Sequence, residues 1–147
     1  MIEIVMAIAI LGIIFSLGLI VSMDSYRGYS FRSEVSTIVS VLERARSRSL
    51  NNLFQISHGV CYDSGSKNYV IFRGTSYGAS NPTTRETVSS NPSLTISPST
   101  SASFFCSSNL GIVFTQLSGT TTLADIVLVQ NNRISTTSIN HEGTINW

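Results

Sequence analysis

From Ile4 to Met23 the chain carries no charged side chain, and apolar residues occupy every face that a helix would present. Twenty helical residues rise about 30 Å, the thickness of a bilayer's hydrocarbon core. Ser16 and Ser22 can bond back to the backbone, and Gly12 and Gly18 are tolerated in a membrane helix more readily than in a soluble one. A small domain cannot surround so long an all-round apolar helix. Residues 1–23 are therefore expected to span a membrane or to pack among other apolar helices.

The pattern changes at Asp24. Phe31, Val35, Ile38, Leu42, Ala45, Ser49 and Leu53 recur at spacings of three and four, which predicts one apolar or small face on an amphipathic helix over 24–53. Glu34, Glu43, Arg44, Arg46 and Arg48 fall largely elsewhere around it. No proline occurs before Pro82, so both segments are expected to form one helix of roughly 50 residues, about 75–80 Å long. Asn51 and Asn52 supply its stop, because asparagine tolerates the left-handed conformation.

Residues 54–147 read as a β head. Strands are expected at 56–62, 68–74, 94–97, 111–116, 124–130, 133–139 and 143–147, with turn residues between them. The pair Asn131-Asn132 suits a tight hairpin with positive φ. An antiparallel sheet lying on the amphipathic half of the helix gives an α+β fold. Residues 75–103 differ: they hold all three prolines, and 15 of the 29 are serine or threonine, which predicts an exposed loop with at most one short strand. Such a loop is a variable surface segment, or a carrier of O-linked sugars or a partner contact.

Charge narrows the function. Only 12% of the 147 residues are charged and the net charge is +1, so nothing marks the chain for nucleic acid or an anionic surface. The one cationic cluster, Arg44, Arg46 and Arg48, lies on the stem; a DNA-binding role is set aside and no nucleic acid is expected as partner. Cys61 and Cys106 form no CxxC pair. A weakly charged, Ser/Thr-rich β surface suits an exported protein, where the two cysteines would form a disulfide; two unpaired buried thiols are the alternative. Closing a loop of that length would stabilise the head by roughly 4 kcal/mol in the chain-entropy model. Export conflicts with Arg27 and Arg32, which follow the apolar run and by the positive-inside rule would hold the head in the cytoplasm. A basic leader upstream of Met1 would remove the conflict.

Catalytic chemistry finds no foothold. His58 and Cys61 are three apart, which on a strand points them to opposite faces, and His141 stands beside Glu142 without a third partner. No HExxH, GxSxG or glycine-rich phosphate loop occurs. We expect no enzyme, no metal and no cofactor.

The remaining oddity is the acid at position 3. An ionised carboxylate in apolar surroundings costs a few kcal/mol and needs a cationic partner. "IEIVMAIAILGIIFSLGLIV", followed by a long amphipathic helix and a small β head, resembles the N-terminus of type IV pilins and pseudopilins. Met1-Ile2-Glu3-Ile4 aligns with the end of the family's Thr-Leu-Ile-Glu-like run, so Glu3 matches its glutamate. The segments "GIVFTQLSG", "DIVLVQ" and "INHEGTINW" are similar to the C-terminal β region of the minor-pilin and H-type pseudopilin group. The likeness is specific over about the first 25 residues, architectural over the helix and weaker in the head.

The resemblance implies a lollipop-shaped pilin fold and a subunit that polymerises through its apolar helix. Glu3 would neutralise the terminal amine of a neighbouring subunit and set the axial register. The family's leader, its cleavage glycine and the first mature residues precede Met1 if they exist, and the mid-stem proline of many pilins is absent. Gly12 and Gly18 are then the places where the helix would stretch on assembly. Implied partners are further copies, other pilins, the inner-membrane assembly machinery and a prepilin peptidase. The implied location is the inner membrane, then an extracellular filament. A major pilin is slightly favoured; a minor pilin or secretion pseudopilin at the filament tip is the first alternative. An ordinary membrane-anchored extracytoplasmic binding protein is the second.

Overall fold

In a computed structural model of the chain, residues 2–130 and 132–147 are described, without the side chains of residues 17–25 and 27. One α-helix, α1, runs Ile2–Leu50. Eight strands follow: β1 (His58–Asp63), β2 (Asn68–Arg73), β3 (Glu86–Ser89), β4 (Thr95–Ile96), β5 (Ile112–Phe114), β6 (Ala124–Gln130), β7 (Arg133–Ile139) and β8 (Ile145–Asn146). The architecture is α+β. Two compact units divide the chain, residues 1–33 and residues 34–147.

The first unit is helix alone. Residues 2–16, all of them exposed, offer about 22 Å of apolar helix. Among the described residues, no helix is long and apolar enough to cross a membrane. A membrane-crossing length, expected for 1–23, is thus not shown. Met1 and the side chains that would complete the span lie outside the described residues.

In the second unit the helix is amphipathic. Val35, Ile38, Leu42, Ala45 and Ser49 are buried as the spacing requires, and Val39 and Val41 widen the covered face. One expectation fails here. The helix ends at Leu50, so Leu53 leaves the apolar face and stands exposed in a 3-10 turn over Leu53–Gln55. The stop itself is as expected: Asn52 adopts the left-handed backbone at φ 52°. Glu34, placed off the apolar face, is buried as well, and a tyrosine from the sheet reaches it.

The expected single sheet is two. The first has the order β3-β2-β1-β5 and the second β4-β6-β7-β8, every pairing antiparallel. In β1 all residues from His58 to Tyr62 are buried, and in β2 all from Tyr69 to Phe72, so the centre of the first sheet is covered on both faces. One face carries Cys61, Val70 and Phe72 packed with Cys106, Tyr77 and Val113. The Phe72 ring fills the space where side chains at Gly59 and Gly111 would stand, and Gly111 also needs its φ of +83°. The opposite face carries His58, Val60, Tyr69 and Ile71. The helix bonds to this face through Glu34 and Ser49.

The second sheet alternates. Ala124, Ile126 and Leu128 are buried between less covered neighbours, the period-two pattern of a sheet with one wet face. Gln130 pairs with Arg133 across a tight hairpin, whose Asn131 lies outside the described residues. The Ser/Thr/Pro-rich segment 75–103 is not merely a loop. It supplies an edge strand to each sheet, β3 to the first and β4 to the second, and Ser97 and Ser101 continue bonding along β6.

Candidate assembly site

Ten large apolar side chains stand uncovered on the first four turns of α1: Ile2, Ile4, Val5, Met6, Ile8, Ile10, Leu11, Ile13, Ile14 and Phe15, each between 55% and 75% exposed. They surround the helix on all sides, so no rotation of the helix would hide them. Transferring them to an apolar environment is worth on the order of 10 kcal/mol or more. A surface of that kind marks an interaction site.

Glu3 sits in the first turn of this stretch, where a carboxylate also favours the helix dipole. Both described ion pairs converge on Glu86, and neither involves Glu3. The nearest basic residue along the chain is Arg27, some 36 Å away by helical rise. A cation for Glu3 in an apolar surround has to come from the chain terminus or from another molecule. Gly12 meets open space on the helix surface; the surroundings of Gly18 lie outside the described residues, although its backbone is helical.

The head contributes fixed geometry. Cys61 and Cys106 form a disulfide, buried under Phe72 and Tyr77 and tying β1 to the segment before β5. His58 lies on the other face of β1, with no exposed surface, so the two side chains do not meet. His141 is exposed and its Nδ1 lies 2.8 Å from the Thr121 carbonyl oxygen. Among the described residues no group of three histidines, cysteines or acids is placed to hold a metal.

Sequence reasoning missed four polar contacts that fasten the helix to the head. The Tyr69 hydroxyl donates to Glu34 Oε1 at 2.7 Å, and the Asn91 backbone N–H donates to Oε2 at 3.1 Å. Burial, then the Glu34 charge, pushes the Tyr69 phenol far above its ordinary range. Arg44 and Arg48 both donate to Glu86 of β3, the latter at 2.6 Å. The Arg48 hydrogen bond, with smaller help from the charges of both arginines, holds the Glu86 carboxyl below its usual value. Arg46 donates to the Glu142 carbonyl at 3.1 Å. The fourth contact is the buried pair of Ser49 and His58. All four join residues at least nine positions apart, so no local spacing could have announced them.

Comparison with family models, with curated proteins and with solved structures returned no match.

Proposed function

We propose that this chain is a structural subunit of a type IV pilus-like filament, a non-enzyme that polymerises through the apolar stretch of α1. The observation that carries this reading is the ring of ten uncovered apolar side chains with a single carboxylate at its first turn. Such a helix needs either lipid or other apolar helices around it. A subunit held in a bilayer and then passed into a bundle of its own copies uses both in turn. Glu3 then selects the register, because it is stabilised only where a neighbour's terminal amine lies beside it.

The disulfide supports residence of the head outside the cytoplasm, since such bonds persist in oxidising compartments. The location that follows is the inner membrane before assembly and the cell-surface filament afterwards. Partners are further copies, other pilins, the membrane assembly machinery and a prepilin peptidase. A major subunit is slightly favoured over a minor pilin or secretion pseudopilin.

Mass spectrometry of filaments sheared from the source cells tests the proposal. An abundant subunit whose amine is methylated and whose N-terminal peptide begins a few residues before Met1 is the expected result. The same processed end in trace amount shifts the reading to a minor subunit. Absence from the sheared fraction, with an unprocessed chain in the membrane pellet, leaves an ordinary anchored protein and overturns it.

A further inference from the structure

The point where α1 ends is built around one serine. Ser49 Oγ donates to the Phe114 carbonyl at 3.0 Å and accepts the His58 backbone N–H at 2.9 Å. Its own carbonyl accepts the Leu117 N–H at 2.9 Å. Helix end, β1 and the residues around β5 thus meet in one hub with no exposed surface at Ser49 or His58.

The imidazole of His58 adjoins this hub through its own backbone bond to Ser49; among the described residues no side chain bonds either ring nitrogen, and the Ile56 backbone is its one hydrogen-bonding neighbour. Its surroundings are hostile to a second proton. Arg48 faces it from α1 and Arg73 from β2; the Ile56 carbonyl is the one group that favours protonation. β5 contributes Phe114, opposite His58 in the strand register, and the 3-10 turn contributes the Phe54 ring, 6.4 Å from the imidazole by centroids. Neither titrates. Glu86 is engaged by Arg48 and Arg44, and the Arg73 Cζ stands over the Phe54 ring, 3.5 Å from its centroid.

The turn beside the hub stores strain. Asn52, Phe54 and Gln55 all have left-handed backbones, at φ 52°, 60° and 57°. Asparagine tolerates this conformation, but at Phe54 and Gln55 it is unfavourable and persists only while the surroundings hold it.

We infer that His58 is an acid-sensitive latch: a second proton on its buried ring releases the C-terminal end of α1 from the first sheet at Ser49. The charged ring would sit between two guanidiniums without an acceptor sufficient to stabilise it. Opening the hub admits water and lets the strained turn relax. Burial first, then Arg48 and Arg73, lowers the affinity of the folded ring for a proton. The unfolded or opened chain therefore binds the proton more readily than the closed one. Closure is complete above the ordinary histidine value of about 6.5 and weakens as the pH falls below it.

Hydrogen exchange of the full chain in detergent micelles, from about pH 7.5 to about pH 5 and corrected for intrinsic exchange rates, tests this. The amides of His58 and Leu117 should lose protection as the pH falls. His58→Leu should keep that protection across the range, and His141→Gln should follow the unsubstituted chain. Parallel loss in His58→Leu, or retained protection in the unsubstituted chain, overturns the latch. Should His58→Leu fail to fold, nuclear magnetic resonance titration of the His58 ring in the unsubstituted chain decides. Protonation coincident with loss of the two amides supports the latch, and protonation with both amides still protected overturns it.

Discussion

One helix carries two opposite solutions to the same problem. Over residues 2–16 its apolar side chains lie on every face and stand exposed among the described residues. Over residues 34–50 the apolar side chains occupy one broad face, and Ile38, Leu42 and Ala45 are all but sealed against the head. A chain's own domain can cover a stripe but not a full circumference. The width of the apolar arc thus decides whether the helix is satisfied within the molecule or only by other molecules.

Truncations in the two halves give the sharpest contrast. Leu42→Ala should destabilise the head by about 2–5 kcal/mol, the usual result of emptying a fully buried leucine site. Ile10→Ala, on the uncovered arc, should leave the head's unfolding midpoint unchanged and reduce the yield of sheared filaments instead. Denaturant melts of the detergent-solubilised chain, read alongside filament yield, separate the two effects. A destabilised head in Ile10→Ala would break the division between the halves.

The sequence expectations that held were those decided by neighbours along the chain. β6 and β7 fall on 124–130 and 133–139 as expected, because "ADIVLVQ" is a short run rich in β-branched and aliphatic residues and the asparagines between the strands mark the turn. The Asn52 stop was equally local. β3 was missed because "ETVS" is polar and becomes a strand only by pairing with β2. The burial of Glu34 was not legible, since its partner Tyr69 is 35 positions away. The uncovered helix could be read directly, as it depends on composition alone. The Ser49–His58 hub could not, as it needs the helix end, β1 and β5 brought together.

Tyr69→Phe probes how the covered half tolerates a carboxylate where the uncovered half carries Glu3. Removing the phenol leaves buried Glu34 with the Asn91 N–H and strips one charge-assisted hydrogen bond from it. A loss of about 1.5–3 kcal/mol is expected in the same melts. Glu34→Gln combined with Tyr69→Phe should lose less than the sum of the two single changes, because the two groups share one contact. Additivity would mean that Glu34 is stabilised without Tyr69.

The smallest effect belongs to the surface clamp on the same covered half. The Glu86 side chain is 37% exposed and its arginines 48% and 28%, so water and salt screen both pairs despite their short distances. Glu86→Gln is expected to lower stability at neutral pH by less than about 1 kcal/mol. Its pH signature is more telling. The folded carboxyl binds a proton less readily than the unfolded one, chiefly because Arg48 bonds its ionised form. The clamp's contribution is therefore present above the ordinary glutamate value of about 4.3 and disappears as the pH falls through and below it. Melts of the unsubstituted chain and Glu86→Gln should differ at neutral pH and converge in acid, with the gap shrinking in high salt. A gap that survives both would make the clamp a packing contact rather than an electrostatic one, so that shape would hold β3 to the stem as it does the rest of the covered half.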